Sequence, residues 1–206
     1  MAKEKKPLYK RVWFWAIVVV IAIIAIASSN NKGSNQISVQ PNPSNTAQQN
    51  TEVQTVTKTE TKKYTMDQFK QIKMGMTYEE VKAILGEGTE DSSSGEGELK
   101  TVSYSWANSD GSNISVILQG GKVITKAQAG LQSMDARVTM EKYNKIQNGM
   151  TYEEVEAILG EGQLISESQI MDQRTEIYTW INSDGSNMNV TFQNGKVEAK
   201  AQFGLK

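Results

Sequence analysis

Neither cysteine nor histidine occurs anywhere in the 206 residues. The first absence excludes disulfides, thiolate nucleophiles and thiolate metal sites. The second removes the commonest general base and the commonest transition-metal ligand, leaving carboxylates, lysines, tyrosines and hydroxyls for any chemistry. Charge is unevenly divided: in the first eleven residues Lys3, Lys5, Lys6, Lys10 and Arg11 outweigh Glu4, so a chain with net charge -1 has a mildly acidic remainder. Phosphate contacts need clustered lysine and arginine, so no nucleic-acid partner is expected. No catalytic residues, metal ligands or small-molecule cofactor are expected either, and the chain reads as a non-enzyme.

Long apolar runs are absent, with one exception. Val12 to Ala27 carries no charge, and Ser28 and Ser29 extend the run without adding one. About 18 uncharged residues suffice to cross a bilayer core as a helix. Residues 1–11 then form a cytoplasmic basic segment and residues 12–29 a transmembrane signal-anchor helix. The positive-inside rule puts the C-terminal part outside, in a single-pass protein of the cell membrane. The alternative is cleavage after Ala27, which would release a secreted protein. A lipid anchor would need a cysteine, and there is none. Residues 30–63, dominated by Asn, Gln, Ser and Thr, have too few apolar side chains to offset backbone ordering and are expected to form a disordered polar linker.

Everything after the linker is written twice. GMTYEEV at Gly75 to Val81 recurs at Gly149 to Val155, AILGEG at Ala83 to Gly88 recurs at Ala157 to Gly162, and NSDGSN at Asn108 to Asn113 recurs at Asn182 to Asn187. The offset is 74 throughout, up to KAQAGL at Lys126 and KAQFGL at Lys200. Repeat 1 spans 64–131 and repeat 2 spans 138–206, with a short linker that should leave the two packed side by side.

Within a repeat, Thr65 with Gln68 and Thr77 with Glu80 are capping-box pairs that start two short helices. Glu79 and Glu80 sit in a first helical turn, where carboxylates stabilise the dipole and need no catalytic role. After Gly88 the apolar period becomes two. Val102, Tyr104 and Trp106, then Ile114, Val116 and Leu118, then Val123, Thr125, Ala127 and Ala129 are expected to point inward. A further strand lies near residues 89–95. The fold class read from this is α+β: two tandem repeats, each a helix-loop-helix packed on its own three- or four-stranded antiparallel sheet. The open face would carry Lys122, Lys126 and Gln128 in one repeat and Lys196, Lys200 and Gln202 in the other. Trp106 and Trp180 fall on the inward pattern and are read as packing residues.

The unchanged NSDGSN loop is the best candidate recognition element. Its hairpin tips, Asn108, Ser109, Asp110 and Gly111, and Asn182, Ser183, Asp184 and Gly185, are the candidate protein-interaction residues. A calcium loop would need more acidic ligands and a distal bidentate glutamate, so no metal is assigned.

GMTYEEV…ILGEG, the Tyr-x-Trp strand and the terminal KAQxGL together resemble the β-lactamase inhibitory protein-like repeat, a family of Gram-positive surface proteins akin to the BamE-like envelope module. The resemblance covers both repeats. It implies a protein-binding module of the bacterial envelope, with the sheet faces and hairpin tips, Asp110 and Asp184 included, gripping a protein. The alternative it implies is an inhibitor of a secreted or envelope enzyme, a β-lactamase or a protease. The expected partners are the membrane and an envelope or extracellular protein.

Overall fold

The computed structural model describes residues 63–206, all within one compact unit. The proposed anchor and the polar linker lie outside these residues. Among the described residues no helix is long and apolar enough to cross a membrane.

Each repeat opens with two short helices: α1 (Met66–Gln71) and α2 (Tyr78–Leu85), then α3 (Met140–Lys145) and α4 (Tyr152–Leu159). Threonine hydroxyls start all four. Thr65, Thr77 and Thr151 make complete capping boxes with Gln68, Glu80 and Glu154, which satisfy amides that a helix start leaves without partners. Gly86 and Gly160 stop α2 and α4 at φ +83° and +84°, a conformation that an L side chain strains to adopt.

The strands follow: β1 (Thr89–Ser94), β2 (Thr101–Ala107), β3 (Asn113–Gln119) and β4 (Lys122–Ala129) in repeat 1, and β5 (Gln163–Ile170), β6 (Gln173–Ile181), β7 (Asn187–Gln193) and β8 (Lys196–Phe203) in repeat 2. They form one eight-stranded antiparallel sheet in the order β1 to β8. This corrects the expected α+β class with a separate sheet per repeat. Strands of six to nine residues dominate, and the helices are only six and eight residues long. The sheets merge because β4 and β5 pair, Thr125 with Ser168, Lys126 with Glu167 and Ala127 with Ser166. Only one strand edge of each repeat is thereby left unpaired by the sheet.

The helices cover one face, over two apolar clusters. Phe69, Ile72 and Val81 pack with Trp106, Ile114 and Val116 in one. Ile146, Val155 and Leu159 pack with Trp180, Met188 and Val190 in the other. The GEG phrase serves the tryptophan. Trp106 Nε1 donates to Gly86 O at 3.0 Å and Trp180 Nε1 to Gly160 O at 2.9 Å. A Cβ on Gly88 or Gly162 would lie 2.5 Å from the ring, so only glycine admits the indole there. The tyrosine of GMTYEEV closes the same corner: Tyr78 and Tyr152 hydroxyls accept from the Gly88 and Gly162 amides at 3.2 and 3.1 Å. Tyr78 also stacks on Tyr104 with ring centroids 4.2 Å apart.

Val123 and Val197 point inward as their period predicts, but beyond them the alternation in β4 and β8 runs opposite to the expectation. A bulge at Ile124 shifts the β3–β4 register, so Leu118 faces Val123 but Ile117 faces Thr125 and Val116 faces Lys126. β8 repeats this at Glu198, with Val190 opposite Lys200. One extra residue exchanges the two faces of the strand beyond it. Lys126, Gln128, Lys200 and Gln202 therefore lie on the helix side, while Thr125 and Ala127 lie on the open side. Lysine is placed there by the helix ends. Lys126 Nζ donates to Phe69 O and Ile72 O at 3.2 and 2.6 Å, and Lys200 Nζ to Tyr143 O and Ile146 O at 2.7 and 2.6 Å. A cation suits the carbonyls of a helix C-terminus, where, among the described residues, Phe69 O and Tyr143 O otherwise accept only the Ile72 and Ile146 amides.

Candidate protein-binding surface

With the lysines turned away, the open face has an unusual composition. Its rows read Ser103 and Ser105 on β2, Ser115 and Ile117 on β3, Thr125 and Ala127 on β4, Ser166 and Ser168 on β5, Thr175, Ile177 and Thr179 on β6, and Asn189, Thr191 and Gln193 on β7, placed on this side by their pairing across the sheet. From β2 to β7 the only charged residue whose pairing places it on this side is Lys122, at the β3–β4 turn. Depletion of charge marks the centre of protein interfaces, and the hydroxyls and amides of this face would need hydrogen-bonding partners on any surface that covers it.

The candidate tips lie at one end of this face. The β2–β3 and β6–β7 turns are four strand positions apart, about 19 Å at the usual strand spacing. Their side chains point mostly at their own fold. Asn108 Oδ1 accepts from Tyr64 N, and its Nδ2 donates to Tyr64 O and Ser112 Oγ, each at 2.9 Å. Asn182 holds Val138 N and O in the same way at 2.7 and 2.8 Å. Each asparagine thus ties the start of its repeat to the sheet. Asp110 and Asp184 accept from Ser112 and Ser186 through both backbone amide and hydroxyl. Those hydroxyl and amide hydrogen bonds hold the Asp184 carboxyl below the usual carboxylate range. Ser109, Asp110 and Gly111, like Ser183, Asp184 and Gly185, remain exposed. The unchanged NSDGSN phrase is therefore explained by the clasp, and the exposed tip residues keep surface available for contact.

Replacing Asn182 with alanine removes three hydrogen bonds and leaves the Val138 amide and carbonyl without their side-chain partner. A loss of about 2–3 kcal/mol is expected, read as a lower urea midpoint at unchanged m-value. Asp184→Ala is expected to lower the midpoint less than Asn182→Ala does, because the exposed carboxylate and the Ser186 groups it releases can turn to water.

Among the described residues, the seam carries the one ionic pair that is nearly sealed from solvent. Lys126 and Glu167, 2% and 7% exposed, face each other across β4 and β5 with Nζ 3.3 Å from the carboxylate. Arg174 bridges Glu167 and Glu176 at 3.0 and 3.1 Å. Burial holds the Lys126 ammonium below its ordinary range against the opposing pull of Glu167, and burial likewise raises the Glu176 carboxyl and the Tyr178 phenol. At the offset of 74, repeat 1 has Ser93, Lys100 and Val102 at these places. The cluster belongs to the junction rather than to the module.

A further surface residue went unnoticed in the sequence. Met171, in the β5–β6 turn, is 91% exposed and holds φ +54°. Gly97, its counterpart in repeat 1, holds φ +57°. Beside it Ile170 is also exposed, paired with Gln173 on the open-face side. The signal was there to read: a hairpin turn with methionine where the other copy has glycine.

A duplicated helix-and-strand unit fused into one sheet, with helices on one face and a nearly uncharged other face, defines a tandem-repeat sheet protein. The family model described as Beta-lactamase inhibitor (BLIP) matches residues 65–180 and 166–206. The chain belongs to that family. Among solved structures it is similar to a candidate beta-lactamase inhibitor protein from Streptococcus mutans, with a TM-score of 0.57 and 22% identity, over 67% of this chain and 94% of that one. At that identity the likeness concerns the fold. None of the curated proteins matches.

Proposed function

We propose that residues 63–206 are a non-enzymatic module that binds a protein partner through the open face of the sheet. The observation that carries this is the near absence of charge across six adjacent strands on that side. The exposed Ile170 and Met171 add apolar contact area beside it, and methionine is enriched in protein interfaces. The tip residues Asp110 and Asp184 supply fixed charge at the opposite end. The uncharged run at residues 12–29 supports display on the outer side of the cell membrane, and residues 30–63 would hold the module away from the bilayer. Membrane-fraction localisation, with loss of residues 63–206 on protease treatment of intact cells, tests that placement.

The experiment for the face is capture of a partner from envelope extract by the full chain, comparing wild type with Ser115→Arg plus Asn189→Arg. Both positions are partly exposed and far from the helices, so folding should be retained. Loss of the captured protein supports the face; equal capture refutes it. A second reading, inhibition of a secreted enzyme, is favoured by membership of a family described as β-lactamase inhibitors. Steady-state β-lactamase assays with added chain decide it: inhibition that titrates to one-to-one supports the reading, and unchanged turnover at micromolar chain rejects it.

Met171 offers an independent check. A non-glycine residue at positive φ is strained by about 1–2 kcal/mol, partly offset by the greater chain entropy glycine loses on folding. Met171→Gly is therefore expected to raise stability by about 0.5–1 kcal/mol while weakening partner capture. Raised stability with undiminished capture would remove Met171 from the binding surface.

A further inference from the structure

The molecule contains its own template for strand addition. At the seam, β4 accepts β5 along Thr125, Lys126 and Ala127. The same stretch of repeat 2, Ala199, Lys200 and Ala201, lies on β8, the last strand of the sheet. Lys126 places its three ammonium protons on Phe69 O, Ile72 O and the Glu167 carboxylate. Lys200 makes the two equivalent carbonyl bonds, to Tyr143 O and Ile146 O, and no carboxylate faces it among the described residues. An ammonium has three donors, and the Lys200 Nζ, 4.2 Å from the Tyr143 ring centroid, has two oxygen acceptors where Lys126 has three. Thr125, Lys126 and Gln128 are buried at the seam, whereas Ala199, Ala201 and Gln202 are exposed.

We propose that the β8 edge is a strand-acceptor site for an extended segment of a partner protein, pairing along residues 199–201 with a carboxylate set opposite Lys200. Three observations fix the chemistry. The backbone edge is continuous with a sheet that already accepts a strand at the equivalent place. The charge left at Lys200 calls for an acidic side chain in register, as Glu167 is for Lys126. Lysine on an edge strand often blocks pairing, but this one bends back to the helix end, and the same residue in β4 does not prevent β5 from joining. A second copy fits less well. Adding its β1 in the seam register would put Ser93 opposite Lys200, because Ser93 is the counterpart of Glu167. The edge works through backbone groups and is separate from the open face.

The test uses the full chain in detergent micelles and, as probe, an acetylated and amidated peptide of residues 163–170, the strand that β4 accepts. The expected result is saturable binding with new amide hydrogen-exchange protection confined to residues 199–203. Replacing the peptide's Glu167 with Gln should weaken it about 10-fold, the value of one charge-assisted hydrogen bond. Ser115→Arg plus Asn189→Arg in the protein should leave peptide binding unchanged, which separates the edge from the face. Equal binding of the two peptides, protection elsewhere, or no binding at millimolar peptide overturns the proposal. Concentration-dependent self-association that the peptide does not displace would assign the edge to a second copy and overturn it as well.

Discussion

Trp180→Ala is expected to destabilise the folded chain by about 3–5 kcal/mol, the range for removing a fully buried large aromatic. The indole is wholly inaccessible, seated on Gly162 and hydrogen-bonded to Gly160 O. Removing it takes away the contact that fixes the α4 terminus against β6 and leaves that carbonyl without its side-chain donor. A domain of this size holds about 5–15 kcal/mol in total, so the loss is a large fraction of it. Denaturant unfolding followed by tryptophan fluorescence checks the value, with Trp106 as the remaining buried reporter. A change under 1 kcal/mol would mean that the corner is not the packing centre described.

The second large effect separates two lysines that the sequence makes look alike. Lys126→Met is expected to cost about 3 kcal/mol, because removing one partner of a buried pair leaves the other uncompensated. Arg174 still meets Glu167, which keeps the loss at the lower end. Two helix-end carbonyls lose the ammonium as well, although Phe69 O keeps the Ile72 amide. Lys200→Met loses the equivalent carbonyl bonds but no ion pair and is expected to cost about 1–2 kcal/mol. Thermal and urea unfolding of both variants reads the difference. Equal losses would show that the seam pair contributes nothing beyond helix capping.

These lysines also mark where sequence reasoning stopped. The duplication, the capping boxes, the helix stops and the strands around Trp106 and Trp180 were legible, because each rests on local pattern. The parity of β4 and β8 was not. Alternation assumes an unbroken ladder, and the bulges at Ile124 and Glu198 arise from pairing with β3 and β7, which local pattern does not encode. Fusion into one sheet was hidden for the same reason: β4 and β5 are separated by two helices, and only Glu167 in place of Ser93 hinted that repeat 2 meets something repeat 1 does not. Identity of the NSDGSN loops pointed toward recognition, whereas Asn108 and Asn182 are retained by the clasp to Tyr64 and Val138. The open face was read as carrying four lysines, of which the structure turns Lys126 and Lys200 inward and leaves Lys122 and Lys196 at the turns, so its low charge emerged only with the register.

A continuous face depends on β4 and β5 being hydrogen-bonded neighbours, and the absence of native cysteine makes this directly testable. Paired residues of antiparallel strands have Cα atoms about 4.5–5.5 Å apart, within reach of a disulfide. Ala127→Cys with Ser166→Cys, mildly oxidised in the otherwise cysteine-free chain, should close an intramolecular bond as completely as the control pair Ser105→Cys with Ser115→Cys within repeat 1. If the control pair closes and the seam pair stays reduced, the two repeats do not share a sheet.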